Sequence, residues 1–137
     1  MIITIGINYP ISSKNLLVKI ESPANEVVLD LSQPLSTVEL EFDLPIQNQV
    51  IDLKFCCDDL DIINHPVTVT NITLDNFYQY NSALVYRGIP EFDQQFLLLA
   101  EQKNMFLDPT VNDSNRLDFT GKLVYKFVWP FYKNLFP

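Results

Sequence analysis

The sequence predicts an all-β fold, an antiparallel β-sandwich of jelly-roll-like type with one short helical insertion, and three observations carry that prediction. Apolar and polar residues alternate with period two through most of the chain, so each such run buries one face and wets the other. Nine prolines fall almost entirely between those runs, as expected of many short strands joined by turns. A single segment, "GIPEFDQQFLLLAEQKN", switches to helical spacing.

Taken in order, "MIITIGINY" and "NLLVKIESP" read as strands, and "NEVVLDLSQP" as a third, with Val27, Leu29 and Leu31 opposed to Val28 and Asp30. In "VELEFDL", Val38, Leu40, Phe42 and Leu44 alternate with Glu39, Glu41 and Asp43. In "VIDLKFCC", Ile51, Leu53, Phe55 and Cys57 point inward against Asp52, Lys54 and Cys56. The short polar link "PIQNQ" between these two runs makes them expected neighbours in a sheet. "VTVTNITLD" starts with Val67 and Val69 inward, then changes phase to Ile72 and Leu74. Such a slip predicts a bulge near Thr70 and Asn71. Asp75-Asn76 is the turn expected after it.

In the helical segment, Pro90 suits the first helical position, Glu91 and Asp93 suit its positive end, and Phe92, Phe96 and Leu99 recur at helical spacing. The helix reads as a plug for the core. The last strand, "GKLVYKFVWP", sets Leu123, Tyr125, Phe127 and Trp129 on one face. The total is seven or eight strands in one domain, 1–137, with 130–137 an apolar C-terminal tail. A chain of 137 residues suits one core rather than two.

Composition excludes several functions. With 47% apolar and 19% charged residues, ten Phe and six Tyr, the chain is too apolar for disorder. Its net charge of -8 repels phosphate backbones and anionic lipid headgroups, so neither nucleic acid nor membrane is an expected partner. The local basic excess of Lys122, Lys126 and Lys133 reads as a solvated face. No apolar run approaches the roughly 18 residues needed to span a bilayer. Met1-Ile2-Ile3 lacks the basic start of a signal peptide, so secretion by that route is not expected. Asn71-Ile72-Thr73 and Asn112-Asp113-Ser114 then match the glycosylation pattern by coincidence. Cys56 and Cys57 are adjacent, and neighbours on a strand point to opposite faces, which predicts two reduced thiols in a cytosol-like compartment.

The stretch from Cys56 to His65 holds two cysteines, three aspartates and the only histidine. Asp58, Asp59, Asp61 and Asn64 offer oxygens for calcium, although the glycine and terminal glutamate of an EF-hand loop are absent. The competing reading is a solvated, turn-forming loop. Cys56, Cys57 and His65 have no recognised zinc spacing. His65 is the single candidate base, and Pro66 biases it to an extended strand entrance, so no catalytic residue is assigned and the chain is not expected to be an enzyme. Phe77, Tyr78 and Tyr80 either stack on sugars or close one end of the sandwich. Trp129, Phe131, Tyr132, Leu135 and Phe136 crowd the C-terminus and either fold back on the core or insert into a neighbouring subunit.

"VIDLKFCCDDLD", "VTVTNITLD" and "FTGKLVYKFVWPFYKNL" together resemble small virion-associated proteins of tailed bacteriophages, particularly cyanophage types, over roughly Val50 to Leu135. That resemblance implies a non-catalytic decoration, cement or tail-associated subunit, made in the cytoplasm of a bacterial host and carried in the virion. Its partners would be capsid or tail proteins, with homo-oligomerisation compatible, docked through strand edges and the C-terminal Trp129, Phe131, Tyr132, Leu135 and Phe136. The same order of strand, acidic loop and strand is similar to calcium-dependent carbohydrate-binding modules of the β-sandwich kind, with Cys57-Asp58 standing where those carry asparagine-aspartate. This second resemblance implies glycan recognition by an acidic and aromatic loop face, using Phe77, Tyr78 and Tyr80, with calcium at Asp58, Asp59, Asp61 and Asn64. No other cofactor is expected.

Overall fold

The computed structural model describes residues 2–22, 25–41, 49–74, 78–80, 88–105, 107 and 115–129; the side chains of 2, 49–51, 73–74, 78–80 and 127–129 are outside that description. Asp75-Asn76, Phe77 and 130–137 also lie outside the described residues. In chain order the elements are β1 (Ile2–Asn8), β2 (Leu17–Glu21), β3 (Glu26–Asp30), β4 (Thr37–Glu41), β5 (Gln49–Cys57), a 3-10 helix (Leu60–Ile63), β6 (Val67–Leu74), β7 (Tyr78–Tyr80), β8 (Ile89–Phe92), α1 (Gln94–Gln102), β9 (Arg116–Leu117) and β10 (Gly121–Trp129).

Every strand pairing among them is antiparallel. The first sheet runs β4-β1-β6-β7, with β9 also paired to β6; the second runs β3-β2-β5-β10-β8. The inward residues of both sheets meet in one buried cluster, so the chain is a β-sandwich as its alternation predicts. Ile3, Ile5, Leu40, Val67 and Ile72 come from the first sheet, and Val18, Ile20, Leu53, Phe55, Leu123 and Tyr125 from the second. Phe55 and Tyr125 meet edge to face at 5.8 Å near the middle of the second sheet. Burial drives the Tyr125 hydroxyl far above the usual phenol range, so it stays neutral.

The expected bulge is present. Gly6 pairs with Asn71 but Ile7 pairs with Val69, which leaves Thr70 as the extra residue and returns Ile72 to the core face. A Cβ on Gly6 would lie 2.6 Å from the side-chain oxygens of both Asn71 and Thr70, so the bulge needs glycine opposite it.

Three expectations are corrected. β4 and β5 are not neighbours: β4 pairs with β1 in the first sheet, and β5 lies between β2 and β10 in the second. Adjacent runs in the chain can join different sheets of a sandwich, because either sheet buries their apolar face equally well. Pro90 does not start the helix; it lies in β8, paired with Leu123. That strand is the sheet edge, where the N–H that proline lacks is not needed for a ladder. The helix begins instead after Asp93, whose side chain accepts from the Phe96 N–H at 3.0 Å. Ten strands lie among the described residues where seven or eight were expected, since β7 to β9 are too short to show a period.

Helix α1 does serve the core. Phe96 and Ala100 are buried, and Phe96 joins Phe92 and Phe119 in a three-ring cluster with centroids 4.9 to 6.0 Å apart. The junction of β8, α1 and β10 closes at Gly121, which has φ +129. A Cβ there would meet the Glu91 carbonyl oxygen at 2.1 Å and the Asp93 nitrogen at 2.9 Å. Gly121→Ala is therefore expected to cost about 2–4 kcal/mol, combining an unfavourable φ with overpacking against backbone, as read by urea unfolding.

Candidate functional site

Alternation along β5 and β10 turns Asp52, Lys54 and Cys56, and Lys122, Val124 and Lys126, to the outer face of the second sheet. Register then builds rows across that face. One row is Val28, Lys19, Cys56, Lys122 and Glu91; the next is Glu26, Glu21, Lys54, Val124 and Ile89. A cleft of about 440 Å³ lies here, floored by Leu17, Lys19, Val28, Cys56 and Lys122 and closed at one end by Asp58, Asp93 and Gly121. A second hollow of about 250 Å³, lined by Glu21, Ser22, Asp52 and Lys54, shares Glu21 with it. The two hollows adjoin at Glu21, and together they are called the trough.

Leu17 and Val28 are 46% and 53% exposed, two apolar side chains on the wet side of their strands. Beside them Lys19 bridges Glu26 at 3.4 Å and Glu21 at 3.6 Å. The charge of Glu26 and its hydrogen bond, with Glu21 behind them, raise the Lys19 ammonium above its usual range. The surface thus pairs small apolar contacts with fixed donors and acceptors. It has no activated thiol: burial first, then the charge of Glu21, pushes the Cys56 thiol up against the opposing pull of Lys122, Lys19 and Lys54. Burial likewise raises Cys57, which lies inward as expected.

The acidic loop is a capped turn. The Asp59 side chain accepts from the Asp61 N–H at 2.9 Å and so caps the 3-10 helix. The Asp61 carboxylate accepts from the Asn64 amide at 3.2 Å. Asp58 alone of the four reaches the cleft, with its carbonyl accepting from Gln95 Nε2. Among the described residues, no group of three or more His, Cys, Asp and Glu side chains gathers with metal spacing. His65 is half-buried, and its Nδ1 has no hydrogen-bond partner.

The acidic loop and the backbone of Tyr78 and Tyr80 lie toward opposite ends of β6. The acidic loop enters β6 at Val67, whereas Tyr78 and Tyr80 pair with Leu74 and Ile72 at its far end, roughly 20 Å away at about 3.3 Å per residue. Trp129 pairs with Gln49, at the end of β10 opposite Gly121 and the acidic loop. Phe131, Tyr132, Leu135, Phe136 and Phe77 fall outside the described residues. Leu17, Lys19, Glu21 and Val28 were not singled out by sequence. The available signal was Leu17 and Val28, apolar residues out of phase with their strands.

No family model matches the sequence, and the comparison with curated proteins found no match. Among solved structures the chain is similar to a carbohydrate-binding module described as "vCBM60 in complex with galactobiose", at 12% identity and a TM-score of 0.55, over 91% of this chain and 97% of that one. At that identity the likeness is one of fold. It lends no support to association with a virion.

Asp93 fixes the closed end of the cleft. Thr120 Oγ1 donates to its Oδ1 at 2.6 Å, and its own N–H donates to the Thr120 carbonyl at 3.0 Å. Burial raises the carboxyl, but hydrogen bonds from Thr120, Phe96 and Gln95 outweigh it and hold Asp93 below the usual carboxylate value. A depressed folded value means stability present above the ordinary carboxyl range and lost as pH falls through the folded value. Asp93→Ala is expected to cost about 1 kcal/mol through the lost cap. Asp93→Asn should cost less and remove that acid-side loss, seen by comparing melting temperatures down to acidic pH.

Proposed function

We propose that this chain is a glycan-binding domain whose site is the trough on the outer face of the second sheet. The observation that carries the reading is the trough itself, in which Leu17 and Val28 offer apolar contact for the C–H faces of a sugar ring. The Lys19–Glu21–Glu26 network beside them offers donors and acceptors for its hydroxyls. All of these side chains stand on paired strands, so little order has to be imposed on binding. The similarity in fold to a module solved with galactobiose makes a galactose-containing oligosaccharide the first ligand class to test.

The reading is one of binding rather than catalysis. Both thiols are held protonated, and the Nδ1 of the sole histidine has no orienting partner. It invokes no calcium, since of Asp58, Asp59, Asp61 and Asn64 only Asp58 lines the cleft, while Asp59 and Asp61 accept hydrogen bonds within their own turn. The proposed partner is therefore an oligosaccharide, bound without a cofactor.

Calorimetry with galactobiose and a longer β-galactan tests this. Saturable binding is expected, unchanged by a chelator and weakened about tenfold, or ~1.4 kcal/mol, by Leu17→Asp or Lys19→Ala. Absence of binding to any oligosaccharide on a glycan array, by a folded protein, would sink the proposal.

A further inference from the structure

Three of the seven lysines of the chain stand side by side on the outer face of the second sheet. Lys54 faces Val124 across the β5–β10 ladder, so Lys122 and Lys126 are its two diagonal neighbours, each about 7–8 Å away. Val124 lies between them and is only 4% exposed, although Leu123 and Tyr125 on either side of it point into the core. With Val124 buried among them, the three lysines stand on one strip of the outer face.

Lys19 is engaged with two glutamates, but among the described residues Lys54, Lys122 and Lys126 form no ion pair. That is unexpected in a chain of net charge -8 with 17 acidic residues. Glu91 and Asp52 stand opposite Lys122 and Lys126 in register, and neither closes a pair; Asp52 Oδ1 is buried without a hydrogen-bond partner. Three adjacent unneutralised cations repel one another, and an anionic ligand removes that repulsion. The strip borders the trough, with Lys122 lining the cleft and Lys54 the adjoining hollow.

We infer that the trough selects an anionic glycan, a chain whose sugars carry carboxylate or sulfate groups, with Lys122, Lys54 and Lys126 as the partners of successive anionic groups. This inference rests on the glycan-binding reading and narrows it. The dense phosphates of nucleic acid fit less well than spaced anionic groups, because Glu91 and Asp52 stand across from Lys122 and Lys126, and Asp58 and Asp93 line the cleft.

The test is affinity electrophoresis and calorimetry with polygalacturonate, a sulfated galactan, neutral β-galactan and single-stranded DNA, at low and raised ionic strength. One of the two anionic glycans is expected to bind at least about tenfold more tightly than the neutral polymer, with that advantage falling as salt rises. The preferred polymer identifies carboxylate or sulfate as the recognised group. The Lys54→Gln/Lys122→Gln/Lys126→Gln variant, with its melting transition retained, should lose that advantage. Should the triple variant fail to fold, Lys126→Gln alone, outside both hollows, reads the same effect at about threefold or more. Equal or stronger binding of neutral galactan, or of DNA, overturns the anionic inference and leaves the glycan-binding reading standing. Failure to bind any of the glycans overturns both.

Discussion

The antiparallel ladder between β5 and β10 runs unbroken for nine residue pairs, from Cys57 with Gly121 to Gln49 with Trp129, and most of the molecule is arranged around it. Its inner face carries Leu53, Phe55, Leu123 and Tyr125, the centre of the buried cluster. Its outer face carries the floor of the trough and the lysine strip. Because side chains alternate strictly along a strand, one register fixes both faces together, and a slip of one residue would exchange them. Core and site are therefore held by the same constraint.

The ladder ends at a crowded junction. Gly121 lets β10 pass against the backbone of Glu91 and Asp93, and Asp93 turns β8 into α1 while accepting from Thr120. The Phe92, Phe96 and Phe119 rings lock the helix down beneath it. Gln95 then reaches the Asp58 carbonyl and ties the acidic loop to the helix. The closed end of the trough is a consequence of this junction, in which backbone approach and a helix cap set the position of side chains that face the cleft.

Function in such a fold lies in the exposed faces rather than in the sandwich itself. Here the exposed face of the second sheet combines features that a merely solvated face lacks: two out-of-phase aliphatic side chains, a tied lysine and glutamate network, and a run of unneutralised cations. In the acidic loop, by contrast, Asp59 and Asp61 accept hydrogen bonds within their own turn. Abundance of oxygen donors in a sequence says little about a site when a capped turn uses them first.

Period-two alternation alone determined the sandwich class, inward residues such as Leu29, Leu40, Leu53, Phe55, Val67 and Tyr125, and even the bulge at Thr70, because each of these is a local property of a strand with one buried face. The same alternation could not assign strands to sheets. It placed β4 beside β5, and it read Pro90 as a helix start because an edge strand and a first helical turn tolerate proline alike. Nor could it assemble the site. Lys122 and Lys126 stood out as a local basic excess, but Lys54 lies far from them in sequence, and Leu17 and Val28 lie on a hairpin farther still. Only the register of β2, β5 and β10 brings them onto one face, since hydrogen-bonded pairing between distant strands is decided by the burial of the whole core and not by any short stretch of chain.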